Sequence, residues 1–360
     1  MSLRCVLEAF DAWRAASVPL VLLTVTETRG STYSKAGHRI LLGEHGFAGL
    51  VSGGCLEGDL LEHARRVLQH RQAQLLTYDL RDDNDGLFGL GIGCNGLFRV
   101  LLQPLLPVEG HAPFAAIAAV LRGHAAGTSA TVVHSTDPAL APGATFVAGI
   151  ETGASHHLPA AWEARLASGC RQRRSATRAG LVEEQLDGDT ATVLYAPLLP
   201  LPRLLILGAG LDAVPLVNMA SQVGWRVTVA DHRPAQLGRG DLGQAERVFE
   251  ATPAELPRHV ELAHFSAAVI MTHHLDSDRA WLQMLAGSPL AYIGLLGPTQ
   301  RRTRLLEQLG ATAVALEGRL HGPAGLAIGA DSPASIALAI LAEIQACLAG
   351  RTEPYRRSSA

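Results

Sequence analysis

The stretch Leu204-Leu205-Ile206-Leu207-Gly208-Ala209-Gly210-Leu211-Asp212-Ala213 constrains this chain more than any other. Four aliphatic residues that run into glycine are the mark of a buried parallel strand. Gly208 permits a tight turn, Gly210 lets a pyrophosphate come up to the backbone around Ala209, and Ala213 keeps the next helix close to the sheet. The start of that helix offers unbonded N–H groups and the positive end of its dipole to a phosphate. Asp231 lies roughly twenty residues further on, at the end of a second apolar run, where an acid holds a ribose hydroxyl. Strand, glycines, helix, strand and acid in this order predict a Rossmann-like domain. Asp212 sits awkwardly, because a carboxylate at the helix start repels phosphate unless it points away. Arg233 is placed to meet a 2′-phosphate, so both NAD and NADP stay open, as does a Rossmann scaffold that binds neither.

Downstream of the fingerprint, strands and helices alternate. Strands are expected at 204–207, 226–230, 247–249, 267–272 and 290–295, and helices at 212–223, 278–286, 299–309 and 335–348. Such alternation implies a doubly wound parallel sheet with helices on both faces. Upstream the texture is α+β: a helix at 3–16 ended by Pro19, a strand at 21–26, a hairpin of 39–42 and 47–51, and a helix at 56–71. Strands at 75–79 and 97–102, a helix at 114–122 and strands at 130–134 and 191–195 follow. Residues 104–113 read as a linker. The prolines at 197, 200 and 202 mark the clearest boundary, so an α+β domain over 1–200 should precede a Rossmann-like domain over 201–360. The middle part, 105–200, carries the weakest pattern.

The 360 residues are 48% apolar and 18% charged, which excludes wholesale disorder. A net charge of -3 supplies no general basic field, so nucleic acid is not an expected partner. No apolar run reaches the ~18 residues of a membrane span, and charges interrupt the first twenty residues where a secretory signal needs an apolar core. Cys5, Cys55, Cys94, Cys170 and Cys347 form an odd, scattered set, neither a disulfide framework nor a zinc knuckle. A cytoplasmic location is expected.

Two cysteines stand apart. Ser52-Gly53-Gly54-Cys55-Leu56-Glu57-Gly58 puts a thiol at a helix start, where the dipole and N–H groups favour thiolate and glycines admit a ligand. Gly91-Ile92-Gly93-Cys94-Asn95-Gly96 repeats the arrangement. Either both serve a ligand or sulfur chemistry, or each is a small buried residue in a tight turn. Arg29, Lys35 and Arg39, with Ser31 and Thr32, could gather an anion, or form a solvated loop. His273-His274, with Asp276 and Asp278, follows a Rossmann strand and reads as a loop lining the cleft, since the spacing fits no zinc pattern. His156-His157 reads as exposed. No G-x-S-x-G elbow and no H-E-x-x-H appear.

These motifs together resemble the XdhC/CoxI accessory proteins of molybdenum hydroxylases. The resemblance rests on Gly30-Ser31 with Ala36-Gly37, Gly49 to Gly58 and Gly89 to Gly96 in the first half. In the second half it rests on Gly208 to Leu216, Asp231-His232-Arg233-Pro234, Met271-Thr272-His273, Tyr292 to Gly297 with Arg301, His321 to Ala330, Pro333 and Glu343. It implies a chaperone that binds the molybdenum cofactor (molybdopterin), favours its sulfurated form together with a cysteine desulfurase, and hands it to a xanthine dehydrogenase-type enzyme. Ser52, Gly53, Gly54, Cys55, Gly93, Cys94 and Asn95 would then touch cofactor or sulfur. Gly208, Ala209, Gly210, Asp231, Arg233 and His273 would hold a phosphate-bearing part of a ligand: pterin phosphate, a dinucleotide form of the cofactor, or NAD(P). No catalytic residue is assigned. A homodimer would suit a large ligand. The rival readings are an NAD(P)-dependent oxidoreductase, for which no acid–base pair flanks the fingerprint, and an interaction scaffold with no ligand.

Overall fold

A computed structural model describes residues 2–30, 32–44, 46–52, 56–79, 96–149 and 153–351. The chain divides between Leu201 and Pro202 into two compact units.

The first unit opens with helix α1 (Leu3–Ala15), whose Ser2 cap accepts from the Cys5 N–H and whose inner face is Val6, Leu7 and Phe10. It ends before Pro19 is reached, with Ser17 in the left-handed region at φ 53°. Strands β1 (Leu20–Gly30), β2 (Arg39–Gly43) and β3 (Gly46–Ala48), helix α2 (Glu57–His70), and strands β4 (Gln74–Asp79) and β5 (Gly96–Leu105) follow. They make an antiparallel sheet in the order β3-β2-β1-β5-β4. The hairpin is present, with a second arm that stops at Ala48 instead of reaching Val51. Successive residues of a strand face opposite sides, and β1 uses both. Leu20 and Leu22 join α1, while Val21, Leu23 and Val25 join Leu60, Ala64 and Val67 of α2.

A second antiparallel sheet completes this unit. Helix α3 (Phe114–Arg122), strands β6 (Gly127–Ser135), β7 (Thr145–Ala148) and β8 (Ala154–His156), helix α4 (Ala160–Gln172), and strands β9 (Gly180–Leu186) and β10 (Asp189–Leu198) give the order β8-β7-β6-β10-β9. Trp162, Leu166 and Cys170 of α4 cover one face. Phe114, Ile117 and Leu121 of α3 pack with Val147 and Leu198 of this sheet and with Leu20, Leu22 and Leu105 of the first, so one core spans both sheets. The expected linker at 104–113 is therefore not a linker. Strand β5 runs through Pro104, beyond the last β4 partner at Leu102, where a missing N–H is tolerated. A 3-10 turn (Pro107–Glu109) and buried His111, bonded through Nε2 to the Val18 carbonyl at 2.8 Å, lead straight into α3.

The second unit contains β11 (Arg203–Leu207), α5 (Ala213–Gln222), β12 (Arg226–Asp231), α6 (Pro234–Leu237), β13 (Arg247–Glu250), α7 (Leu256–His259) and β14 (Ala267–Ile270). It continues with α8 (Leu275–Ala286), β15 (Tyr292–Leu295), α9 (Thr299–Leu309), β16 (Leu320–His321) and α10 (Pro333–Leu348). All strands are parallel, in the order β13-β12-β11-β14-β15-β16. Leu204 and Ile206 face α5 and α10; Leu205 and Leu207 face α8 and α9. Burial on both faces is why β11 reads as an unbroken aliphatic run. Helix α8 starts three residues earlier than expected, because the His274 side chain accepts from the Ser277 N–H and caps it. Among the described residues no helix is long and apolar enough to cross a membrane.

Candidate ligand site at the strand ends of the second unit

Counting outward from β11, the chain first adds strands on one side (β12, β13) and then on the other (β14, β15, β16). The carboxyl ends of β11 and β14 thus flank a topological switch point, where open α/β sheets bind ligands. Gly208 stands there at φ 126°, and a β-carbon on it would lie 2.5 Å from the Met271 carbonyl oxygen. Only glycine lets the turn pass so close to the end of β14. The Gly208 N–H donates to the Ala230 carbonyl and the Ala213 N–H to that of Gly210. The N–H groups of Gly210, Leu211 and Asp212, directly before α5, have no hydrogen-bond partner among the described residues. Three successive unbonded donors at a helix start form a cradle for an anion.

The side chains around this turn are placed as follows. The Asp212 carboxylate is drawn onto His273, whose Nε2 lies 2.7 Å from Asp212 Oδ2. His273 sits just past β14 in the left-handed region, at φ 58°, and its imidazole is well exposed. Asp231 is fully buried. Its Oδ2 accepts from the Ala209 N–H at 2.8 Å and Arg233 Nη2 at 3.0 Å, and its Oδ1 accepts from the Arg233 N–H at 2.9 Å and Nε at 3.0 Å. Burial alone would raise this carboxyl's pKa; the bonds from Arg233 and from the Ala209 and Arg233 N–H groups outweigh it and hold the pKa below the ordinary value. A carboxylate offers about four lone-pair positions, and all are taken. A ribose hydroxyl would have to displace Arg233 to reach Asp231, and Arg233 in turn is tied down where a 2′-phosphate was expected to find it.

Two further networks, not anticipated from spacing, tie helices α8 and α10 to the neighbouring strands. Asp278 of α8, 1% exposed, accepts from Arg301 Nε and Nη2 at 2.9 and 2.6 Å and from the Thr272 hydroxyl. Gly297, at φ 124°, leaves room for the Arg301 side chain, since a β-carbon there would lie 2.7 Å from Arg301 Cδ. Glu343 of α10 accepts from Tyr292 Oη at 2.6 Å, His321 Nδ1 at 3.0 Å and the Gly325 N–H at 2.7 Å. Burial and the bond to Glu343 push the Tyr292 phenol's pKa well up. The sequence signal for these hubs was an acid on each helix, Asp278 beside Asp276 on α8 and Glu343 on α10, and an acid does not announce its partner.

The first-unit residues fare differently. Gly53, Gly54, Cys55, Gly93, Cys94 and Asn95 lie outside the described residues. Ser52 donates to Glu57 Oε2 at 2.8 Å and accepts from the Leu56 N–H at 3.3 Å, so it braces the start of α2. Glu57 itself is 5% exposed and was not singled out from the sequence. Of the two readings left open for Arg29, Lys35 and Arg39, the anion cluster is not assembled: Arg29 pairs with Glu27 at 2.7 Å, and Arg39 reaches Ser129 Oγ at 2.6 Å, joining the two sheets. His157 is exposed as expected, but His156 is largely buried.

Comparison with known proteins agrees with this architecture. Residues 204–344 match the XdhC Rossmann domain, and residues 13–79 match the XdhC and CoxI family. The chain is 31% identical over 325 residues to a probable xanthine dehydrogenase subunit from Bacillus subtilis (strain 168), covering 90% of this chain and 92% of that protein. A crystal structure of a xanthine dehydrogenase from Bacillus halodurans is similar over 100% of this chain and 98% of that one, with a TM-score of 0.75 and 28% identity. A segment of 158 residues is 32% identical to the uncharacterized protein YqeB of Escherichia coli (strain K12), covering 40% of this chain and 27% of that one. With a switch-point cradle in its second unit and a relative matched along nearly its whole length, the chain belongs to the XdhC and CoxI family.

Proposed function

We propose that this protein is an accessory factor of a xanthine dehydrogenase-type molybdenum hydroxylase, one that binds the molybdenum cofactor, supports its sulfuration with a cysteine desulfurase and delivers it to the client enzyme. The observation that carries the reading is the pairing of a phosphate cradle of unbonded donors with a saturated acid. Gly210, Leu211 and Asp212 present unbonded N–H groups, while Asp231 has no lone pair left for a ribose. That combination suits a ligand held by its phosphate, as molybdopterin would be, better than one held by its ribose. When bound, the cofactor supplies the molybdenum centre, and the backbone cradle of the second unit would hold its phosphate; Cys55 and Cys94 are proposed for its sulfur chemistry on the family resemblance.

The test is anaerobic incubation of the purified protein with molybdopterin, followed by gel filtration with molybdenum and pterin quantified. The wild type should retain the cofactor. Leu211→Glu, which sets a carboxylate at an exposed position of the cradle, should lower retention at least tenfold, as should Cys55→Ala and Cys94→Ala. The parallel 3-2-1-4-5-6 strand order favours one rival, an NAD(P)-dependent oxidoreductase. Nicotinamide turnover abolished by Asp231→Ala, with no pterin retained, would establish that rival instead.

A further inference from the structure

The first unit holds a side-chain cluster that the proposed function leaves unused. Glu109 closes the 3-10 turn after β5, and His156 is the last residue of β8. In an extended strand His157 would point to the opposite face from His156. Instead His157 adopts φ 54°, a conformation uncommon outside glycine. The turn folds its ring onto that of His156, with centroids 3.8 Å apart and planes at 27°. Both imidazoles then meet one carboxylate: His156 Nε2 is 3.4 Å from Glu109 Oε2, and His157 Nε2 is 3.3 Å from Glu109 Oε1. One ligand-type atom from each of the three residues lies within 4.8 Å of the others, and among the described residues no other group of three His, Cys, Asp or Glu does so.

We propose that Glu109, His156 and His157 form a binding site for a divalent late first-row transition metal ion, for which Zn²⁺ is the probe. Zinc–nitrogen and zinc–oxygen bonds of about 2.0–2.2 Å separate neighbouring ligand atoms by about 3.3–3.5 Å. The two histidine–glutamate distances are of that size but run to different carboxylate oxygens, and the rings are stacked, so an ion would enter as the rings swing apart toward one oxygen. Two imidazoles and one carboxylate are a donor set for zinc and its neighbours in the series; magnesium and calcium demand more oxygens. The side chain of His156 is only 13% exposed, and its Nδ1 is buried without a hydrogen-bond partner, so the protein holds this ring by packing and by Glu109 alone. Three protein ligands leave a fourth position for water or a substrate atom, as in catalytic and not structural zinc sites. A cavity of about 310 Å³, lined by His156, His157, Arg71, Gln103 and Gly143, opens beside the two rings. The site lies wholly within the first unit and does not depend on the cofactor reading above.

The experiment uses the full chain, stripped with a chelator and titrated with Zn²⁺ against a chromophoric competitor, then with Co²⁺ followed by absorption. Glu109→Gln keeps the shape of the carboxylate, and His157→Asn keeps a residue that tolerates the left-handed backbone. The wild type should bind Zn²⁺ at this site and give a cobalt spectrum of nitrogen and oxygen ligation without a thiolate charge-transfer band. Each variant should bind at least tenfold more weakly while its metal-free thermal unfolding is unchanged. If His157→Asn does not fold, Glu109→Gln alone decides. Affinity within twofold of wild type in the folded variants, a cobalt spectrum that depends on Cys55 or Cys94, or no metal binding at all would overturn the proposal and leave the cluster a plain histidine–carboxylate clasp.

Discussion

The two candidate sites, one in each unit, use their carboxylates in opposite ways. In the second, Asp231 ends β12, Asp278 opens α8 just past β14, and Glu343 joins α10 to the start of β15, each filled by several donors from its own unit. In the first, Glu109 is exposed and shared at 3.3 and 3.4 Å between two imidazoles that line a cavity. Saturated carboxylates can only brace. They hold the glycine turn and the neighbouring loops in place, and the ligand-facing donors are left to the backbone. An unsaturated carboxylate between two nitrogen donors keeps capacity for something else. At the second unit's site the braced acids leave a backbone cradle, whereas at the first unit's cluster the available groups are side chains.

The sharpest way to break this contrast is to remove a brace. Arg301→Ala leaves the Asp278 carboxylate buried and unpaired, and should cost about 3–5 kcal/mol in denaturant unfolding of the second unit; a loss under 1 kcal/mol would show that the network does not brace. Gly208→Ala forces a β-carbon against the Met271 carbonyl at a positive φ. It should cost about 1–3 kcal/mol and lower Tm by several degrees. Acid titration comes next. The folded Asp231 pKa lies below its unfolded value of about 3.9, so its contribution is complete above that value and is lost as pH falls through the lower folded pKa. Wild-type stability should fall below about pH 4, and Asp231→Asn, already less stable at neutral pH, should fall less steeply there. The smallest effect is expected at the partly exposed Asp212–His273 pair. Asp212→Asn should change stability by less than about 1 kcal/mol, while raising affinity for a phosphate-bearing ligand a few-fold in calorimetry, because it removes a negative charge beside the cradle.

Much of the second unit is legible from local pattern. An aliphatic run buried on both faces, a glycine turn and an amphipathic helix are each written within ten or so residues, and helix 299–309 lies where its periodicity puts it. The first unit is less so. Its strands pair antiparallel over long separations, and the stretch at 104–113 has the prolines and glycine of a linker while belonging to a core shared by two sheets. Nothing local reports that β5 continues through Pro104, because what permits it is the end of a neighbouring strand. The candidate site divides in the same way. The cradle at Gly208 to Ala213 follows from the glycine spacing, and so does the acid at the end of the second strand.

Short ordered motifs were thus enough to establish the parallel unit, the place of its glycine turn and the identity of the family. Which groups remain available was settled by packing in three dimensions. Packing brought the Ala209 N–H to Asp231, turned Asp212 onto His273 and drew His156 and His157 to a glutamate 47 residues before the first of them. The physical reason is that local propensity shapes the backbone of a segment, whereas the partner of a polar side chain is chosen among residues far apart in the chain.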